Sequence, residues 1–213
     1  MNRTLEMPTE GGEIVMLVCL DPGHGGEDYG AVGFSLLEKN VCLDIAYRLR
    51  RKLLTYEGIK VTMTRSIDIY VSPEERSRRA NEQEADLFLS IHTNASPDSS
   101  MSGFASYVSV IAGHETRRIQ CWLHNQIVYF LRKYGVVDLG KKNDTEIFGG
   151  QLPELRATKM PAVSIASLFI THSKENHLLA DSEFLDRYAN CMAEGIAKIY
   201  RCKRREKVNT FYE

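Results

Sequence analysis

The chain has 213 residues, 43% of them apolar and 26% charged, a size and balance that suit one globular α/β domain with a substantial core. Its formal net charge of -1 gives nucleic acid no bulk electrostatic hold. No apolar run approaches the roughly 18 residues of a transmembrane helix, and the acidic start lacks the basic and apolar regions of a signal peptide.

The apolar run from Ile14 to Leu20 predicts a buried strand. It leads into Asp21-Pro22-Gly23-His24-Gly25-Gly26, where a histidine sits at the strand end among residues that let the backbone turn sharply. Residues 21–37 are expected to form a glycine-rich loop. From Glu38 the apolar positions fall three or four apart, at Val41, Cys42, Ile45, Ala46, Leu49 and Leu53. That is an amphipathic helix, with Arg50, Arg51 and Lys52 at the negative end of its dipole. Glu57-Gly58 ends it, and Ile59 to Thr64 reads as a second strand.

Ser72-Pro73-Glu74-Glu75 predicts a helix start in which Ser72 caps and Glu75 completes a capping box. Asp86 to His92 is almost wholly apolar, as in a strand covered on both faces, and like the first it ends on a histidine. Phe104 to Ile111 predicts a further strand, and His114 to Tyr134 a long helix. Residues 135–160 show weak periodicity and read as an extended loop. Pro161 to Ala166 is a short late strand, and Ser182 is placed to cap a last helix. The expected division is an N-terminal extension at 1–13, one domain at 14–202 and a charged, frayed tail at 203–213. Alternating strands and helices predict a single α/β domain with a largely parallel sheet. The five cysteines, Cys19, Cys42, Cys121, Cys191 and Cys202, are odd in number and without a C-x-x-C pair, so free buried thiols are expected.

Ligands in open α/β sheets bind beyond the carboxyl ends of strands, where His24 and His92 fall. Glu38 opens the helix after the first of those loops. Two histidines and a carboxylate would give zinc three protein ligands and leave a fourth position for water. On its own, the stretch around His24 reads equally well as a simple turn.

The chain resembles the zinc-dependent N-acetylmuramoyl-L-alanine amidases of the type-3 amidase family. The matching pieces are DPGHGGEDYGAVG at 21–33, EKN at 38–40, TR at 64–65, SPEERSRRAN at 72–81, ADLFLSIHTNA at 85–95 and LRATKMPAV at 155–163. They stand in family order and run through most of the chain. The resemblance implies a twisted, mostly parallel sheet of about six strands flanked by helices, and a Zn2+ site made by His24, Glu38 and His92. It implies peptidoglycan as substrate, cut at the amide between N-acetylmuramic acid and L-alanine. The site of action would be the cell wall outside the membrane. A monomer is expected.

One position departs from the family. Its late strand carries a second glutamate, commonly in a V-E-x-G-F setting, that serves as general base and acid. Aligned on Pro161-Ala162-Val163 and Phe169, this chain has Ala166 at that position and Leu168 where glycine is usual. A methyl group moves no protons, so impaired turnover is expected with zinc binding intact. Three origins remain open: a substitution introduced into an active enzyme, a non-catalytic homologue that binds wall fragments or a partner, or a carboxylate brought from elsewhere, such as Glu146 or Glu154. Asn94 and Arg156 are candidate substrate contacts, with turn-shaping and ion-pairing as their plain alternatives. Asp28 or Glu27 could orient the second nitrogen of His24. Arg76 is expected in a structural ion pair, and His114, His124, His172 and His177 on the surface or supporting the site from behind its ligands, and not as ligands themselves.

Overall fold

The structure, a computed structural model, describes residues 15–147 and 152–206. Strand β1 (Met16–Pro22) is buried except at Leu17 and runs into the glycine-rich turn. The segment expected as a loop includes a small hairpin, β2 (Val32–Gly33) with β3 (Leu36–Leu37), which returns the chain to helix α1 (Glu38–Leu53). The apolar stripe of α1 is buried throughout, from Val41 to Leu53. Strand β4 (Ile59–Met63) follows, then α2 (Pro73–Glu82) and β5 (Leu87–Asn94). Ser72 caps α2 by accepting from the Glu75 N–H. The Glu75 carboxylate does not complete a capping box; it is taken by Arg78 and Arg79, whose guanidinium groups outcompete the backbone donor.

The second half begins with β6 (Phe104–Val108), shorter than expected because the chain turns at Ser109 to reach α3 (His114–Leu131). The supposed loop at 135–160 contains an edge strand, β7 (Asp138–Asn143), and a short helix, α4 (Pro153–Ala157). Strand β8 (Ala162–Phe169) is buried at all eight positions. It is followed by α5 (Ser173–Ala180) and α6 (Ser182–Ile199). The cap of α6 is Asp181, which accepts from the Glu183 N–H, so Ser182 is the first helical residue.

The six main strands lie in the order β4-β1-β5-β8-β6-β7. The first four are mutually parallel, β6 runs antiparallel to β8, and β7 follows β6 in parallel. Helices α1, α3 and α6 pack with one face into a core that includes Val18, Leu20, Leu89, Ile91, Ile165 and Tyr188. Helices α2 and α4 pack together over the other face, where Cys19, Phe88, Ala105, Leu155 and Ala166 form a smaller cluster. The chain leaves β1 through α1 toward β4 on one side, then returns through α2 to place β5 on the other. The carboxyl ends of β1 and β5 therefore flank a topological switch point, the crevice such sheets use for ligands.

All five cysteines are free, with Cys19, Cys42 and Cys191 buried. The expected N-terminal extension lies outside the described residues, as does 207–213. The part of the tail that is described is not frayed: Lys203 and Arg205 hydrogen-bond to Glu57 and Thr55, and the Arg204 guanidinium lies over the Tyr56 ring. Among the described residues no helix is long and apolar enough to cross a membrane.

Candidate metal centre

His24 stands two residues beyond β1 in a left-handed backbone conformation, with φ 59°. That conformation is uncommon for a residue with a side chain and needs surrounding structure to hold it. Two buried arginines do so. Arg65 donates to the carbonyls of Pro22, Gly23 and Lys39. Arg76 donates to the carbonyls of Pro22, His24 and Val71 and pairs with Asp21 at 2.8 Å. Asp21, fully buried, also accepts from the hydroxyls of Thr64 and Ser90. Lys39 ties the outer part of the turn down by donating to the Gly26 carbonyl and to Asp68.

His92 projects from β5, and Glu38 is the first residue of α1. The structure brings these three candidates together. His24 Nε2 is 3.2 Å from one Glu38 oxygen, and His92 Nδ1 is 3.3 Å from the other. One ligand atom from each residue falls in a group no more than 4.8 Å across. Zinc bonds of ~2.0–2.1 Å in a tetrahedron put donor atoms about 3.3 Å apart, so the two near contacts suit that ion. The glycines are needed for the approach. A Cβ at Gly23 would lie 2.3 Å from the His92 ring, and one at Gly30 would lie 2.8 Å from Glu38 Oε2.

Each Glu38 oxygen also accepts a backbone N–H at 2.8 Å, from Ala31 and from Thr93. The two donors thereby fix the orientation of the carboxylate. Burial favours its neutral form, but the imidazoles of His24 and His92 outweigh that and hold its pKa far below the usual carboxylate range. Burial likewise opposes the charged form of His24, yet Glu38 and Asp28 together raise its pKa above 6.5. His24 Nδ1 lies 2.9 Å from Asp28 Oδ2, where it donates, leaving Nε2 directed at Glu38. Asp28 thus orients the ring; Glu27 is exposed.

Ala166 lies in β8 opposite His92, 4% exposed. The Asn94 side chain donates to the Ala166 carbonyl at 3.0 Å and bridges toward Gly103, so it braces β8 beside the site. Arg156 is paired through Nε with the buried Asp144, and its Nη2 has no partner among the described residues. Glu146 is exposed and its side chain accepts from the Asn143 backbone N–H, capping that turn. Glu154 is buried in α4. His124 is linked to Ser106 and Asp138 at 2.8 and 2.9 Å, a serine–histidine–carboxylate line. Ser106 and His124 are each 1% exposed, so no substrate reaches that hydroxyl and the line serves the core.

The brace of Arg65, Arg76 and Lys39 was not visible as such in the sequence. The one signal was that the three fall in three of the family-like stretches, EKN, TR and SPEERSRRAN.

Comparisons with known proteins identify the family. A family model described as N-acetylmuramoyl-L-alanine amidase matches residues 18–198. An endolysin of Bacillus phage SPP1 is 38% identical over 189 residues, covering 89% of this chain and 68% of that protein. The sporulation-specific N-acetylmuramoyl-L-alanine amidase of Bacillus subtilis is 34% identical over 188 residues, covering 88% of this chain and 69% of that protein. Among solved structures, the catalytic domain of CwlV, an N-acetylmuramoyl-L-alanine amidase of Bacillus (Paenibacillus) polymyxa, is similar with a TM-score of 0.79 at 29% identity. The match covers 89% of this chain and 100% of that one.

Proposed function

The chain belongs to this N-acetylmuramoyl-L-alanine amidase family, and we propose that it hydrolyses the amide joining N-acetylmuramic acid to L-alanine in peptidoglycan, using zinc held by His24, Glu38 and His92. We further propose that turnover is slow, because Ala166 supplies no proton carrier. The convergence of two imidazoles and a carboxylate at the switch point carries this reading. Zinc bound there would polarise the scissile carbonyl and ionise a water near neutral pH.

The chain's own residues prepare that chemistry. Glu38 is locked by two backbone donors and His24 by Asp28. These partners fix the orientation of both side chains, which limits the reorganisation that binding an ion would require. Ala166 offers only a methyl group beside His92, and general acid–base catalysis typically contributes about 10²–10⁴-fold. The same observation favours one other reading, a homologue that binds wall fragments or a partner without cutting.

The test measures peptide-stem release from purified cell wall, with zinc, by this chain and by Ala166→Glu. The reading expects Ala166→Glu to be faster by about 10²–10⁴-fold. Equal, substantial release by both would refute the role given to position 166. No release by either, with zinc bound, would favour the binding protein.

A further inference from the structure

Helix α4 carries a carboxylate that the metal centre does not use. Glu154 is 5% exposed, and among the described residues no cation pairs with it. A buried carboxylate without a cation is unfavourable, and such groups concentrate where protons are exchanged.

Its position follows from the sheet. Paired residues of neighbouring strands point to the same face. Asp21 pairs with Ser90, and His92 with Ala166, so these side chains share a face. Arg76 of α2 reaches Asp21 on that face. The charged groups that act on Glu154 are these same ones, His92 first, then Asp21 and Arg76. No hydrogen bond joins Glu154 to His92. Its neighbour Leu155 packs in the cluster that contains Ala105, Tyr107 and Ala166, and α4 rests on both α2 and β8. Glu154 therefore lies on the His92 side of the sheet, over the strand in which residue 166 has only a methyl group.

We propose that Glu154 is the proton carrier for the turnover this chain retains, supplying from α4 the carboxylate that β8 lacks. The inference rests on the amide hydrolysis proposed above. In the step, the attacking water forms a bond from oxygen to the carbonyl carbon and gives a proton to the Glu154 carboxylate. When the carbon–nitrogen bond breaks, that proton passes to the departing nitrogen of L-alanine, leaving an acid and an amine. Burial raises the Glu154 pKa and His92 opposes this only in part, as suits a group that must both take and return a proton.

The experiment uses the full chain with zinc and a muropeptide containing the N-acetylmuramoyl-L-alanine bond. Glu154→Gln is expected to lower kcat at least ~10-fold with zinc content unchanged and KM little changed, and to lose the acid limb of the pH profile. Glu154→Asp should recover part of the rate. A second readout needs no turnover. In metal-free protein, Glu154→Gln should melt above the parent at alkaline pH and converge with it on acidification, because a raised folded-state pKa means the ionised form opposes folding. Unchanged kcat and pH profile in Glu154→Gln, or a melting difference that does not vary with pH, would overturn the proposal. Release by Ala166→Glu with none by the zinc-loaded parent would also overturn it, while leaving hydrolysis at this centre standing. No release by either removes both.

Discussion

Leu168 is the place where the sequence and the backbone are in open conflict. It lies in β8 at φ 47°, fully buried, where the register against β5 slips between Thr93 and Asn94. An extra residue in a left-handed conformation is the bulge geometry that glycine usually fills. A left-handed backbone costs a non-glycine residue roughly 1–2 kcal/mol. Leu168 is nevertheless part of the main core, and truncating a buried leucine to alanine costs about 2–5 kcal/mol. Burial outweighs strain, so both Leu168→Ala and Leu168→Gly should be less stable than the parent. Their order is the sharper expectation. In an ordinary strand glycine is roughly 0.5–1 kcal/mol worse than alanine, but here alanine keeps the strain and glycine loses it. Leu168→Gly should therefore match or exceed Leu168→Ala by up to about 1 kcal/mol, or ~2–4 °C in Tm for a domain of this size. Urea unfolding with equal m-values, checked by thermal melts, measures the order. Leu168→Gly melting clearly below Leu168→Ala would refute the claim that this position is strained.

Other consequences concern the metal centre. Asp28→Asn keeps a hydrogen-bond acceptor but weakens the hold on His24 Nδ1 and should reduce zinc affinity by about 10–100-fold, measured by chelator competition; unchanged affinity would remove Asp28 from the site. In metal-free protein, the raised pKa of His24 gives stability that is present below 6.5 and lost as pH rises through its folded-state value. The lowered pKa of Glu38 gives stability present above 4.5 and lost as pH falls through its folded-state value. These two contributions should therefore peak together between those reference values. Zinc requires neutral imidazole, so the rise in Tm on adding zinc should be larger at pH ~8 than at pH ~6; a flat or falling difference would contradict the proton competition.

The parts of this molecule that could be read from sequence are those whose burial is local. β1 and β5 are almost continuously apolar because helices cover both their faces, and each delivers a histidine to the carboxyl edge. The stripe of α1 repeats every three or four residues, which also placed Glu38 at its start. β7 was hidden because it is an edge strand of sequence DLGKKN, half exposed and paired only with β6, so no apolar alternation marks it. The short helix α4 was hidden for a related reason. Glu154 is buried only because α4 folds over α2 and β8, a tertiary fact that no local pattern carries. Arg76 was legible as a structural ion pair, but that it and Arg65 are buried to hold the carbonyls of the turn around His24 was not. The role of Leu168 also needed the structure: its departure from glycine was visible, but the left-handed backbone beneath it was not.

The proposed chemistry depends on a zinc ion held by His24, Glu38 and His92. Metal analysis combined with anomalous diffraction at the zinc edge tests it most directly. One zinc per chain is expected, bound to His24 Nε2, His92 Nδ1 and the Glu38 carboxylate; a chain without zinc, or with zinc bound away from His24, would refute the proposed centre.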